Sequence, residues 1–172
     1  EGGGLDLGED GKVKLISLQM AEKIYSDIDL VASGPTGHSS VPLKDNAIYR
    51  LSVGLARLAE YNAPPRLLPV TRAYFAARAK IEAEPLASAM RALSEAQDAL
   101  PAWALEVVEA DPSLAASLRT TCVATMLSGG TRVNALPAQA KANVNCRLLP
   151  NETIDDLKAR FGADVMAAEI EK

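Results

Sequence analysis

One stretch near the C-terminal end alternates in polarity at every position, and it constrains the fold more than any other part of the sequence. Between residues 138 and 148, small or apolar side chains occupy the even positions and polar or charged side chains the odd ones. Successive side chains of a β-strand point to opposite faces, so the pattern predicts a strand with one buried and one open face. The apolar set is Ala140, Ala142, Val144, Cys146 and Leu148, and the polar set is Lys141, Asn143, Asn145 and Arg147.

The remaining patterns place this strand in an α+β fold. Residues 13–34 and 120–127 are predicted to be extended, and apolar residues three and four apart predict a helix over residues 45–61, capped by Asp45 or Asn46. A final helix is expected from about residue 152, ending or bending at Gly162. This order predicts a ferredoxin-like antiparallel sheet with two helices on one face and an available sheet edge. Its last strand is expected to be missing, which suggests truncation.

An alanine-rich stretch, about residues 64–118, interrupts this order. Its prolines predict three short helices, so we interpret the stretch as an inserted helical subdomain. The expected organisation is a segment at residues 1–23 that leads in from another domain, followed by the ferredoxin-like domain at residues 24–172. The prolines that divide the insertion are Pro69, Pro85, Pro101 and Pro112.

Charge and hydropathy exclude two classes of partner. The chain has 18 basic and 22 acidic residues with the signs interspersed, so no basic stripe is available for nucleic acid. No run of eighteen apolar residues exists, so we expect no membrane span. Cys122 and Cys146 lie in strand-like runs and are interpreted as small buried hydrophobic residues, which leaves the compartment undetermined.

His38 is the only histidine, and it follows the flexible cluster Gly34-Pro35-Thr36-Gly37. Functional residues concentrate on such loops, although a surface histidine without a role is an equally ordinary interpretation. Catalytic zinc needs about three convergent protein ligands. One histidine and two strand cysteines do not supply them, so the chain by itself is a poor candidate for a metalloenzyme.

Three further residues are candidates for binding. Arg147 ends the polar strand face, where its planar guanidinium suits a carboxylate, but a solvated surface arginine would fit equally well. Asn134 follows a Gly-Gly turn and presents both a donor and an acceptor. Glu1, followed by three glycines, has no role that the fold predicts, and a frayed terminus is the default.

The candidate residues lie in four short motifs. The motifs are Glu1-Gly2-Gly3, Gly37-His38-Ser39-Ser40-Val41-Pro42, Gly129-Gly130-Thr131-Arg132-Val133-Asn134-Ala135-Leu136-Pro137 and Asn145-Cys146-Arg147-Leu148-Leu149-Pro150. Taken together, they closely resemble the aminoacylase and carboxypeptidase S family of dinuclear zinc peptidases. Their order matches, as does the spacing of thirteen residues between Asn134 and Arg147. The resemblance covers nearly the whole chain, and the helical insertion is most similar to the carboxypeptidase S branch.

The resemblance implies that the chain is the lid and dimerisation domain inserted in a catalytic domain that binds two zinc ions. It implies that Glu1 is a zinc ligand, and that His38 stabilises the developing oxyanion, often in the partner subunit's active site. Asn134 would help to hold the substrate, and Arg147 would bind its free carboxylate. The substrate would be an N-acyl amino acid or a small peptide, and the isolated chain is expected to be inactive. The alternative is a non-catalytic ferredoxin-like module that binds an amino acid or mediates dimerisation.

Overall fold

The computed structural model describes residues 3–164 and 169–171, which form two compact units. The sheet unit comprises residues 23–63 and 120–172, and the helical unit comprises residues 1–22 and 64–119. In chain order the elements are β1 (Gly3–Leu7), β2 (Val13–Leu18), β3 (Ile24–Ser33), β4 (Gly37–His38), α1 (Ala47–Glu60), α2 (Pro69–Arg78), α3 (Leu86–Glu95), α4 (Ala102–Glu109), α5 (Pro112–Ser117), β5 (Thr121–Gly129), β6 (Ala135–Leu136), β7 (Gln139–Leu148), α6 (Ile154–Asp164) and β8 (Glu169–Glu171).

The sheet unit has the predicted ferredoxin-like architecture. Its four-stranded sheet has the order β5-β7-β3-β8, and every neighbouring pair is antiparallel. The expectation of a missing last strand was wrong, because β8 pairs with β3 along Asp29–Val31. A three-residue Glu-Ile-Glu strand is too short to show an alternating pattern, so the sequence did not reveal it.

The core of the sheet unit confirms the predicted face of β7. All its even-numbered residues are buried, and helices α1 and α6 cover this face together. The odd-numbered residues of β7 form the opposite, polar side of the sheet, which we call the open face. The buried cluster comprises Ile28, Leu30, Ala32, Ala47, Leu51, Leu58, Ala140, Ala142, Val144, Cys146, Leu148, Leu157 and Phe161.

Side-chain caps determine where both covering helices begin. The Asn46 side chain accepts a hydrogen bond from the backbone N–H of Tyr49, so Asn46 rather than Asp45 caps α1. Thr153 and Asp156 bond reciprocally to each other's backbone N–H at the start of α6. Gly162 does not end α6, which continues to Asp164.

The cysteines do not act as two separate apolar side chains. Cys122 and Cys146 face each other across β5 and β7 with their Cα atoms 4.1 Å apart, and they form a disulfide. The interpretation as unpaired buried residues was therefore wrong, although Cys146 is fully buried. The pairing depends on the register of two strands, which a separation of 24 residues in sequence does not reveal.

The helical unit contains four short helices rather than the expected three. Pro69 and Pro112 begin α2 and α5 at the first helical position, and Pro85 and Pro101 immediately precede α3 and α4. Each of the four prolines thus precedes or begins its own helix. The apolar cluster of this unit comprises Phe75, Ala79, Ala89, Met90, Leu93, Ala104, Val108 and Leu118.

Strands β1 and β2 form a hairpin in the helical unit, and an ion pair between Asp6 and Arg78 links it to α2. The extended segment predicted at residues 13–34 is thus two strands, β2 and β3, which lie in different units. In the part of the chain that the structure describes, no helix is both long enough and apolar enough to cross a bilayer.

Candidate functional site

His38 lies in a two-residue strand rather than in a free loop. Strand β4 pairs with β6, which places His38 opposite Ala135. The backbone N–H of Ser39 also donates to the carbonyl oxygen of Asn134 at 3.0 Å. The structure therefore brings together His38 and Asn134, two predicted site residues that are separated by 96 positions in sequence.

Gly34 permits the chain to turn from β3 towards His38. A Cβ atom at Gly34 would lie 2.5 Å from the backbone nitrogen of Ala47, a distance that backbone atoms cannot tolerate. Gly34 does not have a positive φ, unlike Gly11 and Gly130. The close approach to the first residue of α1 is the constraint.

The imidazole of His38 is exposed and is oriented by Ser40. The Nδ1 atom accepts a hydrogen bond from the backbone N–H of Ser40 at 3.2 Å and lies 2.8 Å from the Ser40 hydroxyl. A backbone N–H only donates, so Nδ1 must be the acceptor, which assigns the proton of the neutral ring to Nε2. The Nε2–H is therefore the donor that this ring offers to a substrate oxygen.

Asn134 occupies an exposed turn immediately before β6. Its backbone carbonyl accepts a hydrogen bond from the N–H of Ser39, the residue that follows His38. The position of Asn134 is therefore coupled to that of the imidazole. Its side chain carries two donors and one acceptor group, which suits the amide or the carbonyl of a substrate. The two residues form what we call the histidine end of the sheet unit.

Arg147 lies on the open face near the end of β7. It is directly opposite Tyr25 of β3, and the guanidinium carbon is 4.7 Å from the centre of the Tyr25 ring. On its other side, Arg147 is paired with Thr121 of β5. We call this region the arginine end.

Lys23 is a second cation at the arginine end, although no motif in the sequence marks it. Its ammonium group donates to the Thr121 hydroxyl at 3.3 Å. Partial burial, with a smaller contribution from the charge of Arg147, lowers the pKa of Lys23 to about 8, while Glu152 acts in the opposite direction. Two cations therefore lie at the same end of the sheet, an arrangement that favours an anionic ligand.

One copy of the chain does not bring His38 and Arg147 together. The histidine end lies beyond the Ser33–Gln139 pair, whereas Arg147 pairs with Tyr25 eight residues further along β7. At roughly 3.4 Å per residue, about 27 Å of sheet separates the two ends. Both residues are exposed, but a small substrate cannot contact both of them within one copy.

The described residues do not offer a metal site. Within residues 3–164 and 169–171, no cluster of three or more histidine, cysteine, aspartate or glutamate side chains could hold a metal ion. Both cysteines are committed to the disulfide. Glu1, the predicted zinc ligand, lies outside the described residues.

The fold and the open polar face define a ferredoxin-like α+β domain, and comparison with known proteins gives its family. Residues 21–171 match the family model of the M20-type peptidase dimerisation domain. Because this match spans most of the chain, the chain belongs to the M20 peptidase dimerisation domain family.

The relatives in this family carry names of hydrolases and peptidases. The chain is 30% identical over 148 residues to the N-fatty-acyl-amino acid synthase/hydrolase PM20D1.1 of Danio rerio, with 85% of this chain and 28% of the relative covered. It is 29% identical over 148 residues to the probable carboxypeptidase S-like 2 of Dictyostelium discoideum, with 83% and 27% covered. The chain thus spans less than a third of the length of these curated relatives.

A solved structure shares the fold. The M20 family metallo-carboxypeptidase Sso-CP2 from Sulfolobus solfataricus superposes with a TM-score of 0.50 at 18% identity, and the match covers 87% of this chain and 42% of that one. The dimerisation domain of this chain therefore has the architecture found in a metallopeptidase of the same family.

Proposed function

We propose that this chain is the lid and dimerisation domain of a zinc-dependent hydrolase, whose whole chain we call the parent enzyme. Its substrate would be an N-acyl amino acid or a small peptide with a free carboxylate. The observation that carries the proposal is the arginine end, where Arg147 and Lys23 lie together near Thr121. The names of the relatives, an N-fatty-acyl-amino acid synthase/hydrolase and a probable carboxypeptidase S-like protein, support a substrate of this kind.

The three side chains would have different roles. His38 would donate its Nε2–H to the oxygen of the scissile carbonyl as negative charge develops there. Asn134, beside it, would hold the substrate amide, and Arg147 would bind the carboxylate through two parallel hydrogen bonds. None of these side chains activates water, so the domain would orient the substrate and stabilise charge rather than attack the amide.

Zinc would be bound elsewhere in the parent enzyme. The described residues do not provide its ligands, and of this chain we propose only Glu1 as a contributor. When bound, zinc would supply an activated water. No step that we assign to His38, Asn134 or Arg147 depends on contact with the metal.

The distance between the two ends supports an active site shared between two copies. A single copy holds His38 about 27 Å from Arg147, by the rise of a strand per residue. In a homodimer, a two-fold axis can place the histidine end of one copy beside the arginine end of the other copy. We therefore propose that each substrate contacts Arg147 of one copy together with His38 and Asn134 of the other.

Replacement of Arg147 tests the substrate assignment. In the parent enzyme, Arg147→Ala should raise KM for carboxylate-bearing substrates by about tenfold to a hundredfold, because a charge-assisted hydrogen-bonded pair is lost. The value of kcat should change little, and steady-state kinetics measures both.

The matched control is Lys141→Ala, which removes a cation from the same face of β7 at a residue that pairs with Asp29. We expect its KM to stay near the wild-type value. An unchanged KM in Arg147→Ala would refute the proposed carboxylate site.

Strand β5 is the edge at which we propose that two copies pair. It is one of the two outer strands of the sheet, and three of its apolar side chains are at least 60% exposed: Val123, Met126 and Leu127. An edge strand with exposed apolar residues is a template for another strand. In sedimentation, the double variant Val123→Lys/Met126→Lys should shift the 172-residue chain from a dimer to a monomer, because edge charges oppose pairing.

The control for this experiment is Trp103→Lys, which places a positive charge at a half-exposed apolar residue of α4 in the helical unit. It should remain a dimer. A wild-type chain that sediments as a monomer at high concentration would contradict the proposed homodimer, and dimers of the double variant would contradict pairing through β5.

A further inference from the structure

The guanidinium of Arg147 is held by a tyrosine ring. Tyr25 and Arg147 are direct cross-strand neighbours on the open face, and the guanidinium carbon lies 4.7 Å from the ring centre. A cation within about 6 Å of an aromatic centre is attracted by the negative face of the ring. Arg147 therefore has a preferred position even though it is exposed to solvent.

Tyr25 is anchored in turn. Its hydroxyl donates to one carboxylate oxygen of Asp27 at 2.5 Å, and the other oxygen accepts from the side-chain amide of Asn145 at 2.9 Å. Asp27 and Asn145 form the next cross-strand pair along the same face. The chain of contacts from Asn145 through Asp27 and Tyr25 to Arg147 is continuous, so the position of the ring is determined by the sheet.

The protonation states of Asp27 and Tyr25 match the direction of the hydrogen bond between them. Hydrogen bonds from Asn145 and Tyr25 lower the pKa of Asp27, and the hydrogen bond to Asp27 raises the pKa of the Tyr25 hydroxyl. At neutral pH the aspartate is therefore charged and accepts, and the tyrosine is protonated and donates. The anchor of the ring persists across the physiological pH range.

Holding Arg147 in place has a consequence for binding. An exposed arginine samples many rotamers, and the loss of that freedom on binding opposes affinity. A side chain that already lies against a ring loses less when a ligand arrives. The benefit applies only to ligands that the guanidinium contacts.

We propose that Tyr25 is a positioning residue for carboxylate recognition: its ring, anchored by Asp27, presents the Arg147 guanidinium to the substrate. This inference rests on the proposed function of Arg147. It predicts that loss of the ring weakens the binding of acidic substrates without slowing their turnover, and that another aromatic residue restores binding.

The test is the kinetics of Tyr25 variants of the parent enzyme. For a carboxylate-bearing substrate, Tyr25→Leu should raise KM by about twofold to fivefold with kcat unchanged, as expected for an exposed cation–π contact. Tyr25→Trp should restore KM, and Tyr25→Phe, which keeps the ring but loses the bond to Asp27, should be intermediate. With the same substrate capped as a neutral amide, all variants should resemble wild type.

A matched control is available in the helical unit. There the guanidinium carbon of Arg78 lies 5.7 Å from the ring centre of Tyr74, so Tyr74→Leu removes the same kind of contact from a different arginine. We expect this variant to melt at a lower temperature but to keep its KM. Tyr25→Thr provides a second ring deletion with a good strand-forming residue.

The outcomes separate the inference from the proposed function. If Arg147→Ala raises KM but neither Tyr25→Leu nor Tyr25→Thr does, the positioning role is overturned and the carboxylate site stands. If the neutral amide is affected as strongly as the acid, Tyr25 is only structural and the inference is equally overturned. If Arg147→Ala leaves KM unchanged, the proposed function itself fails.

Discussion

His38→Ala should lower kcat of the parent enzyme by about a hundredfold to a thousandfold, with KM within about threefold of wild type. The reason is the donor geometry at the histidine end. The Ser40 backbone N–H occupies Nδ1, so the neutral ring offers its Nε2–H to the substrate. Such a donor contributes most when the carbonyl oxygen acquires charge, so its loss affects the transition state more than the bound substrate.

The control for His38→Ala is Ser39→Ala, which alters the adjacent side chain but retains the backbone N–H that bonds to Asn134. It should preserve kcat. Single-turnover measurements would separate chemistry from product release in both variants. Wild-type kcat in a folded His38→Ala enzyme would remove His38 from the mechanism.

Mixing two impaired variants should restore activity if the site is shared between copies, provided that the substrate concentration is kept well below the wild-type KM, where loss of Arg147 lowers the rate. His38→Ala and Arg147→Ala enzymes would each be impaired at both sites of the homodimer. A mixed dimer has one site that contains Arg147 of the first variant and His38 of the second, both intact. Random exchange in equal amounts makes about half of the dimers mixed, so about a quarter of the wild-type activity should return.

The control for this experiment pairs His38→Ala with a His38→Ala/Arg147→Ala double variant, which leaves no complete site in any dimer. Two affinity tags, one on each variant, would verify that mixed dimers form. If mixed dimers are isolated and no activity returns, His38 and Arg147 must act within one copy, and the shared site that we infer from their separation of about 27 Å would be wrong.

The local patterns of the sequence were sufficient for most of the sheet unit. The alternation along β7 predicted its buried and open faces, and the apolar spacing predicted α1 to within two residues at its start. Both patterns arise from the geometry of one element, which repeats every 2 or 3.6 residues regardless of its neighbours. In the helical unit the prolines identified helix starts, but the expected number of helices was too small by one.

The candidate site was predictable residue by residue, but its arrangement was not. His38, Asn134 and Arg147 were identified by motif and resemblance, and their roles remain predictions. Tyr25 and Lys23 could not be predicted as site residues, because no motif in the neighbouring sequence distinguishes them. Tyr25 becomes informative only once the register of β3 and β7 places it opposite Arg147.

By itself, the sequence determined which side of each element faces the core and which residue types are available for chemistry. These properties depend on side chains a few positions apart. Only the tertiary structure decided that Cys122 pairs with Cys146, that Asn134 adjoins His38, and that Arg147 lies at the far end of the sheet. The physical reason is that strand register is set by contacts between distant segments, and shifting a strand by one residue would exchange every partner across it.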